Sequence, residues 1–200
     1  MRNIEIKKLT PELVGDYLHF FDTTPHDDGI PEHRCYCVFW NSTNDENEDF
    51  STAEARRAAA ERFVGNGRIK GYLAYESGRV IGWCSANRKS ECLKSRCGKS
   101  YLAPLSAEDD AAVMSIFCFA VAPEMRHSGV ATALAETVCE DAWREGFRFV
   151  EAYPMKEFHS ERYDYTGPAG LYEKLGFEVF RDLGDRLVVK ATPHNSRLTP

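Results

Sequence analysis

The stretch Arg126-His127-Ser128-Gly129-Val130-Ala131-Thr132 has the residue types that hold a pyrophosphate, and it joins an apolar run, 113 to 121, to a helical pattern beginning at Val130. The first turn of a helix carries unpaired N–H donors and the positive end of the helix dipole, so an anion settles there. Gly129 and Ala131 remove side-chain bulk where the phosphates approach, and Gly129 can adopt positive φ. Arg126 adds a cation. The stretch is not a Walker loop, because G-x-x-x-x-G-K-[ST] is absent, and nucleotide triphosphate hydrolysis is not suggested. Gly65-x-Gly67 with Gly71 fails the dinucleotide fingerprint and reads as a helix stop followed by a turn. A second position stands out: Glu151 lies in the largely apolar run 147 to 153. A carboxylate there is costly to bury unless partnered, so Glu151 is either at an exposed sheet edge or functional.

The elements that must position these groups follow from periodicity. Ile4 and Ile6 alternate with polar residues and predict a strand. Thr10-Pro11-Glu12 then starts a helix running to about Phe21. Ser51-Thr52-Ala53-Glu54 resembles a capping box that opens a second helix to Val64, stopped by Gly65-Asn66-Gly67. Runs 71 to 75 and 80 to 84 flank a glycine-bearing turn and predict an antiparallel hairpin. The run 113 to 121 is nearly all apolar, as for a central strand covered on both faces. Leu134, Val138 and Ala142 continue a helix from Val130 to the stop at Gly146. A strand at 147 to 153, a short helix at 168 to 175 and a hairpin of 177 to 180 with 186 to 191 complete the order. The expectation is one α/β domain over residues 1 to 200, with its core in 1 to 192 and a frayed tail from 193 to 200.

Two stretches resemble the landmarks of one family. Arg126, Gly129 and Ala131 match the Arg/Gln-x-x-Gly-x-Gly/Ala motif with which the GNAT N-acetyltransferases bind acetyl-CoA. Ala169-Gly170-Leu171-Tyr172-Glu173-Lys174-Leu175-Gly176-Phe177 is similar to the family's short helix bearing a tyrosine and ending in Gly-Phe. The resemblance covers roughly Gly71 to Ala191. It implies the GNAT fold, a mixed, mostly antiparallel sheet with helices on both faces and a splayed pair of strands. Between those strands the pantetheine arm pairs with main-chain groups, here Phe119, Ala120 and Val121, beside a bulge that opens the sheet. The implied reaction is direct attack of a primary amine on acetyl-CoA in a ternary complex, with Tyr172 as acid toward the departing sulfur. His127, Ser128, Val130 and Thr132 join Arg126, Gly129 and Ala131 as expected cofactor contacts.

The sequence also departs from the family. Its early-strand glutamate has no counterpart in Val113-Met114-Ser115-Ile116, which leaves Glu151 as the expected base. The family's asparagine before the tyrosine helix has none either, because a longer insert, 154 to 167, replaces the customary short loop. The acceptor is expected to meet the variable segments: Tyr36, Cys37 and Trp40 as an apolar wall, and His159 among the carboxylates Glu157, Glu161 and Asp164. Aromatic clusters such as Tyr36 to Trp40 are more often core. Cys118 reads as an apolar filler, since direct transfer needs no nucleophile.

Composition narrows the rest. With 25 basic and 31 acidic residues the net charge is -6, the wrong sign for gripping nucleic acid over a broad face. No signal-like opening or membrane-length apolar stretch is present, so no membrane partner is expected and a cytoplasmic location is the default. The 7 scattered cysteines argue against a disulfide framework. Neither Cys35-x-Cys37 nor Cys92-x4-Cys97 has zinc-module spacing, so no metal is expected. The partners expected are a small-molecule or peptide amine, with the protein a monomer or homodimer. An acyl-CoA sensor without turnover is the main rival, and a metal-holding interaction module the lesser one.

Overall fold

The computed structural model describes residues 3–24, 29–98, 112–160 and 164–193. The tail beyond residue 193, Glu161 and most of the loop from 88 to 112 lie outside them. Seven strands form one sheet in the order β1-β2-β3-β4-β5-β7-β6. They are β1 Glu5–Lys8, β2 Gly71–Glu76, β3 Arg79–Arg88, β4 Val113–Val121, β5 Phe149–Ala152, β6 Glu178–Asp182 and β7 Leu187–Ala191. Only β4 and β5 pair in parallel; the other neighbours are antiparallel. The helices are α1 Val14–Thr23, α2 Ala53–Gly65, α3 Lys89–Cys92, α4 Val130–Arg144 and α5 Ala169–Lys174. Among the described residues no helix is long and apolar enough to cross a membrane.

The element order expected from periodicity is found with one addition, α3 in the segment after β3 that reads as a polar loop, and with local shifts that have physical causes. The cap of α2 is Thr52, whose hydroxyl accepts from the Ala55 amide, one residue later than the box predicted. Ser51 is unavailable because Asp49 takes both its amide and its hydroxyl. The β2–β3 turn is Ser77-Gly78, both at positive φ (51° and 78°), the twist that suits a two-residue hairpin. β5 begins at Phe149 rather than Phe147 because Gly146, at φ 81°, turns the chain and the Phe147 amide returns to the Ala142 carbonyl at 2.9 Å. That closes the end of α4 as a Schellman turn.

Successive residues of β3 point to opposite faces of the sheet, and each face receives a helix. Trp83, fully buried, meets the ring of Tyr17 on α1 edge-on at 4.9 Å. Burying an indole stabilises the core by roughly 4 to 6 kcal/mol of gross transfer free energy. On the other face Gly82 lets α4 approach: a Cβ at 82 would lie 2.7 Å from Val130 Cγ1. Val130, Leu134, Val138 and Ala142 form the buried stripe of α4, so the start of that helix is held against β3 by its first residue.

The sheet opens in its middle. β4 pairs with β5 from Val113↔Phe149 to Ile116↔Ala152 and no further. On its other side β4 remains paired with β3 up to Val121, with a bulge where Ser85 faces Cys118 and Ala86 faces Ile116. Phe117 is the extra residue, and the added bend directs the last residues of β4 away from β5.

Candidate functional site

Below the opening, the strands are pinned by a buried ion cluster. Ser115 lies opposite Glu151 in the β4–β5 register, and Glu151 lies opposite Lys190. The Glu151 carboxylate is 1% exposed, 2.8 Å from Lys89 Nζ and 3.4 Å from Lys190 Nζ. It also accepts from the Tyr153 hydroxyl at 3.0 Å, which is itself 2.8 Å from the Ser115 hydroxyl. Burial, followed by the Glu151 charge, pushes the Tyr153 phenol well above its ordinary value, so the phenol stays a donor. Glu151 is thus neither edge-exposed nor in a cavity. It is a buried carboxylate with two cations, an outcome that the strand pattern left open. Lys89, 1% exposed, is the first residue of α3, a short helix that gave no sequence signal.

Above the opening lies a cavity of about 940 Å³. One end is the turn into α4. Arg126, His127, Gly129, Val130, Ala131 and Thr132 line it, and Gly129 stands at φ 90° as the helix N-cap. His127 is also left-handed, at φ 59°, so two residues of the turn hold the amides of the first helical turn toward the cavity. Ser128 does not line the cavity; its hydroxyl donates to the Met125 carbonyl and fixes the turn from behind.

The middle of the cavity is the splayed edge of β4, where Phe119, Ala120 and Val121 all line it. The Ala122 amide donates to Ile81 of β3, so by strand alternation the main-chain groups of Phe119 and Val121 face the opening. The Phe119 amide is taken by the Tyr165 carbonyl at 2.6 Å. Its carbonyl accepts only the weak Cys118 thiol at 3.6 Å, and with Val121 it offers an extended ligand arm main-chain groups to pair with as a strand would. An N-terminal helical turn for phosphates, followed by an open strand edge for amides, fits coenzyme A.

The far end is aromatic. Cys37, Phe39 and Trp40 line it with Phe20 and Phe21 of α1, so two of the three wall residues expected from sequence are present. The third, Tyr36, is 2% exposed and does not line the cavity; its hydroxyl donates to Asp22 at 2.7 Å. Tyr36 and Cys37 are both left-handed (φ 45° and 53°), which costs on the order of 1 to 3 kcal/mol each and needs outside support. The Tyr17 hydroxyl supplies part of it by donating to the Tyr36 carbonyl at 2.8 Å. Arg56 of α2 supplies more, its guanidinium donating to the carbonyls of Glu32, Arg34, Phe50 and Ser51. Arg56 reads in the sequence as an ordinary helix-surface residue, and only the fold shows it clamping the segments beside the aromatic end of the cavity. The Cys37 thiol lies below its ordinary pKa, first because Cys118 hydrogen-bonds to it, while the same bond raises Cys118.

The insert covers the cavity. Phe158, Asp164, Tyr165 and Gly167 line it, whereas His159 does not: its side chain is 55% exposed, with Nδ1 3.8 Å from Asp164 Oδ1. Tyr172 on α5 is fully buried, packs edge-on against Phe177 and donates its hydroxyl to the Thr166 carbonyl. It does not itself line the cavity, but Gly167 does, and a Cβ there would come within 3.3 Å of the Tyr172 oxygen. One glycine therefore separates that hydroxyl from the cavity. Burial raises the Tyr172 phenol well above its ordinary value, so it keeps its proton.

The sequence pattern of the Acetyltransferase (GNAT) family matches residues 33–177, and the chain belongs to that family, whose acetyl donor is acetyl-CoA. No curated protein matches the chain by sequence. Its fold is similar to PaiA N-acetyltransferase from Thermoplasma acidophilum, solved in complex with coenzyme A, at 15% identity and TM-score 0.53, covering 95% of this chain and 99% of that one. It is similar to the polyamine N-acetyltransferase of Drosophila melanogaster that forms N-acetylagmatine, at 13% identity and TM-score 0.55 over 95% and 100%. It is also similar to ribosomal-protein-alanine N-acetyltransferase from Brucella melitensis, at 17% identity and TM-score 0.53 over 94% and 99%.

Proposed function

We propose that this protein transfers acetyl from acetyl-CoA to a primary amine by direct attack in a ternary complex. The observation that carries the reading is the continuity of one cavity from the α4 turn, past the open edge of β4, to the aromatic end. Donor and acceptor can then occupy it together, as direct transfer requires.

The residues divide the work. The amides of the first turn of α4, with Arg126 and His127 beside them, hold the phosphates. Phe119 and Val121 align the arm through main-chain groups, a role that does not depend on side-chain identity. The bound donor supplies an activated thioester carbonyl. Tyr172, protonated and one glycine away, is positioned to re-aim its hydroxyl from the Thr166 carbonyl and give its proton to the departing sulfur, while the proton shed by the attacking amine passes through water to restore the phenol. Glu151 has no step in this scheme, because both its oxygens are engaged away from the cavity.

Incubating the protein with acetyl-CoA and a panel of amines should release free coenzyme A thiol and leave acetylamide product. Thiol release without acetylamide for every amine would sink the reading. Tyr172→Phe should lower kcat by about 100- to 10,000-fold, the range of a single acid's contribution, and leave acetyl-CoA affinity within a few fold. Steady-state kinetics with calorimetry decide this. Unchanged kcat where chemistry limits the rate would make Tyr172 a packing residue only.

A further inference from the structure

The aromatic end of the cavity is built in two layers. Trp40, Phe39 and Phe21 line it, and each is backed by a ring that does not: Trp40 stacks on Phe117 at 4.7 Å, Phe39 meets Phe50 edge-on at 5.8 Å, and Phe21 lies 5.7 Å from Tyr36. The second layer holds the lining rings in place before a ligand arrives, so little side-chain freedom is lost when one binds. Phe158, 53% exposed, adds a ring at the mouth of the same cavity. Another flanks the proposed acid. A Cβ at Gly167 would lie 3.2 Å from the Phe119 ring and 3.3 Å from the Tyr172 oxygen, so the apolar wall begins beside that hydroxyl.

The charges of the lining point the same way. Among the described residues Asp164 is the one carboxylate that lines the cavity, and it is 4% exposed. Its Oδ2 accepts from the amides of His159 at 2.6 Å and Ser160 at 2.8 Å, and its Oδ1 is buried. Among those residues the cavity thus offers a cation no open carboxylate, whereas Arg34, Arg126 and Lys174 all line it. A polyamine or an aminoglycoside carries several ammonium groups, each of which would lose water there without gaining an anion. An aromatic ring gains from burial whatever the sign of the surrounding charges.

We infer that the acceptor is an aromatic monoamine: an aryl ring seated against Trp40, Phe39 and Phe21, on a short arm that carries one primary amine to the thioester. The inference rests on the acetyltransferase reading above and narrows its substrate class. The transfer is the one already described. The neutral amine nitrogen bonds to the acetyl carbon, the carbon–sulfur bond breaks, coenzyme A leaves as its thiol, and the nitrogen gives up one proton.

The test compares phenethylamine with ethylamine, which lacks the ring, and putrescine, which puts a second ammonium where the ring would lie. Wild-type protein should acetylate phenethylamine with kcat/KM about tenfold or more above either, as burial of one phenyl ring provides. Calorimetry in the presence of coenzyme A should show the same order of affinity. Phe158→Glu changes an exposed position that folding tolerates and exchanges a ring for a carboxylate at the mouth. It should lower the ratio of phenethylamine to putrescine turnover about tenfold, as one charge-assisted contact provides.

Equal or better use of ethylamine or putrescine by the wild type overturns the inference, as does a ratio that survives Phe158→Glu in folded protein. Thermal unfolding checks the fold of the variant; should it not fold, the wild-type series decides alone. The two readings fail separately: acetylation confined to amines without a ring overturns this one and keeps the acetyltransferase, whereas acetylation of no amine removes both.

Discussion

Gly129→Glu should weaken acetyl-CoA binding by about a hundredfold, close to 2.7 kcal/mol. Three effects act in the same direction. Gly129 is the N-cap of α4 at φ 90°, where a side chain costs about 1 to 2 kcal/mol of left-handed strain. That strain pulls the turn away from the conformation that presents the α4 amides. The new carboxylate sits at the positive end of the helix and takes the place meant for a phosphate. It also repels that phosphate directly. The variant should still fold, because a Cβ at 129 meets nothing within 4 Å. Gly129→Asn is the companion, neutral and tolerant of left-handed backbone, and should retain most of the affinity. Calorimetric titration with acetyl-CoA checks both; equal binding by wild type and Gly129→Glu would remove the phosphate role of the turn.

Glu151→Gln should lower stability by about 3 to 5 kcal/mol, the cost of removing one partner from a buried ion pair. Lys89 and Lys190 would then stand together, 1% and 7% exposed, with no carboxylate between them. For a chain of this length the melting temperature should fall by roughly 6 to 20 °C. The damage should also reach the cavity. Tyr153 must then share one amide oxygen with two lysines, and its ring stacks at 6.0 Å on the bulge residue Phe117, which stacks at 4.7 Å on the cavity residue Trp40. Lys89→Met with Glu151→Leu, replacing charges by similar volume, should recover part of the loss, since Lys190 can turn toward the Phe180 ring, 3.6 Å away. Thermal unfolding of the set measures this. An unchanged melting temperature with activity lost in Glu151→Gln would return that carboxylate to the reaction.

Local chemistry explains how much was legible from sequence. The α4 turn could be read because glycine at a left-handed cap, small residues and a following apolar stripe all act within a few positions of one another. The succession of strands and helices along the chain was legible for the same reason, since alternation and turn residues are short-range signals. The wall residues Cys37 and Trp40 were legible as an apolar cluster. That Tyr36 in the same cluster turns its hydroxyl to Asp22 instead depends on α1, which is distant in sequence.

Glu151 shows the limit from the other side. A carboxylate inside an apolar strand signals a special environment, but it does not say which one. The answer lay in Lys89 and Lys190, brought together by the β3–β4–β5–β7 neighbours of the sheet. Arg56 and Asp164 were obscure for a related reason: each looks like a surface charge until packing from elsewhere buries it.

By itself the sequence determined the elements, the glycine turn that caps α4 and the acyl-transfer family, because periodicity, capping and a contiguous motif are local properties of the chain. Only the tertiary structure decided where β4 leaves β5, which carboxylate is spent on lysines and which faces the cavity, because strand register and the meeting of distant loops are set by packing across the whole core.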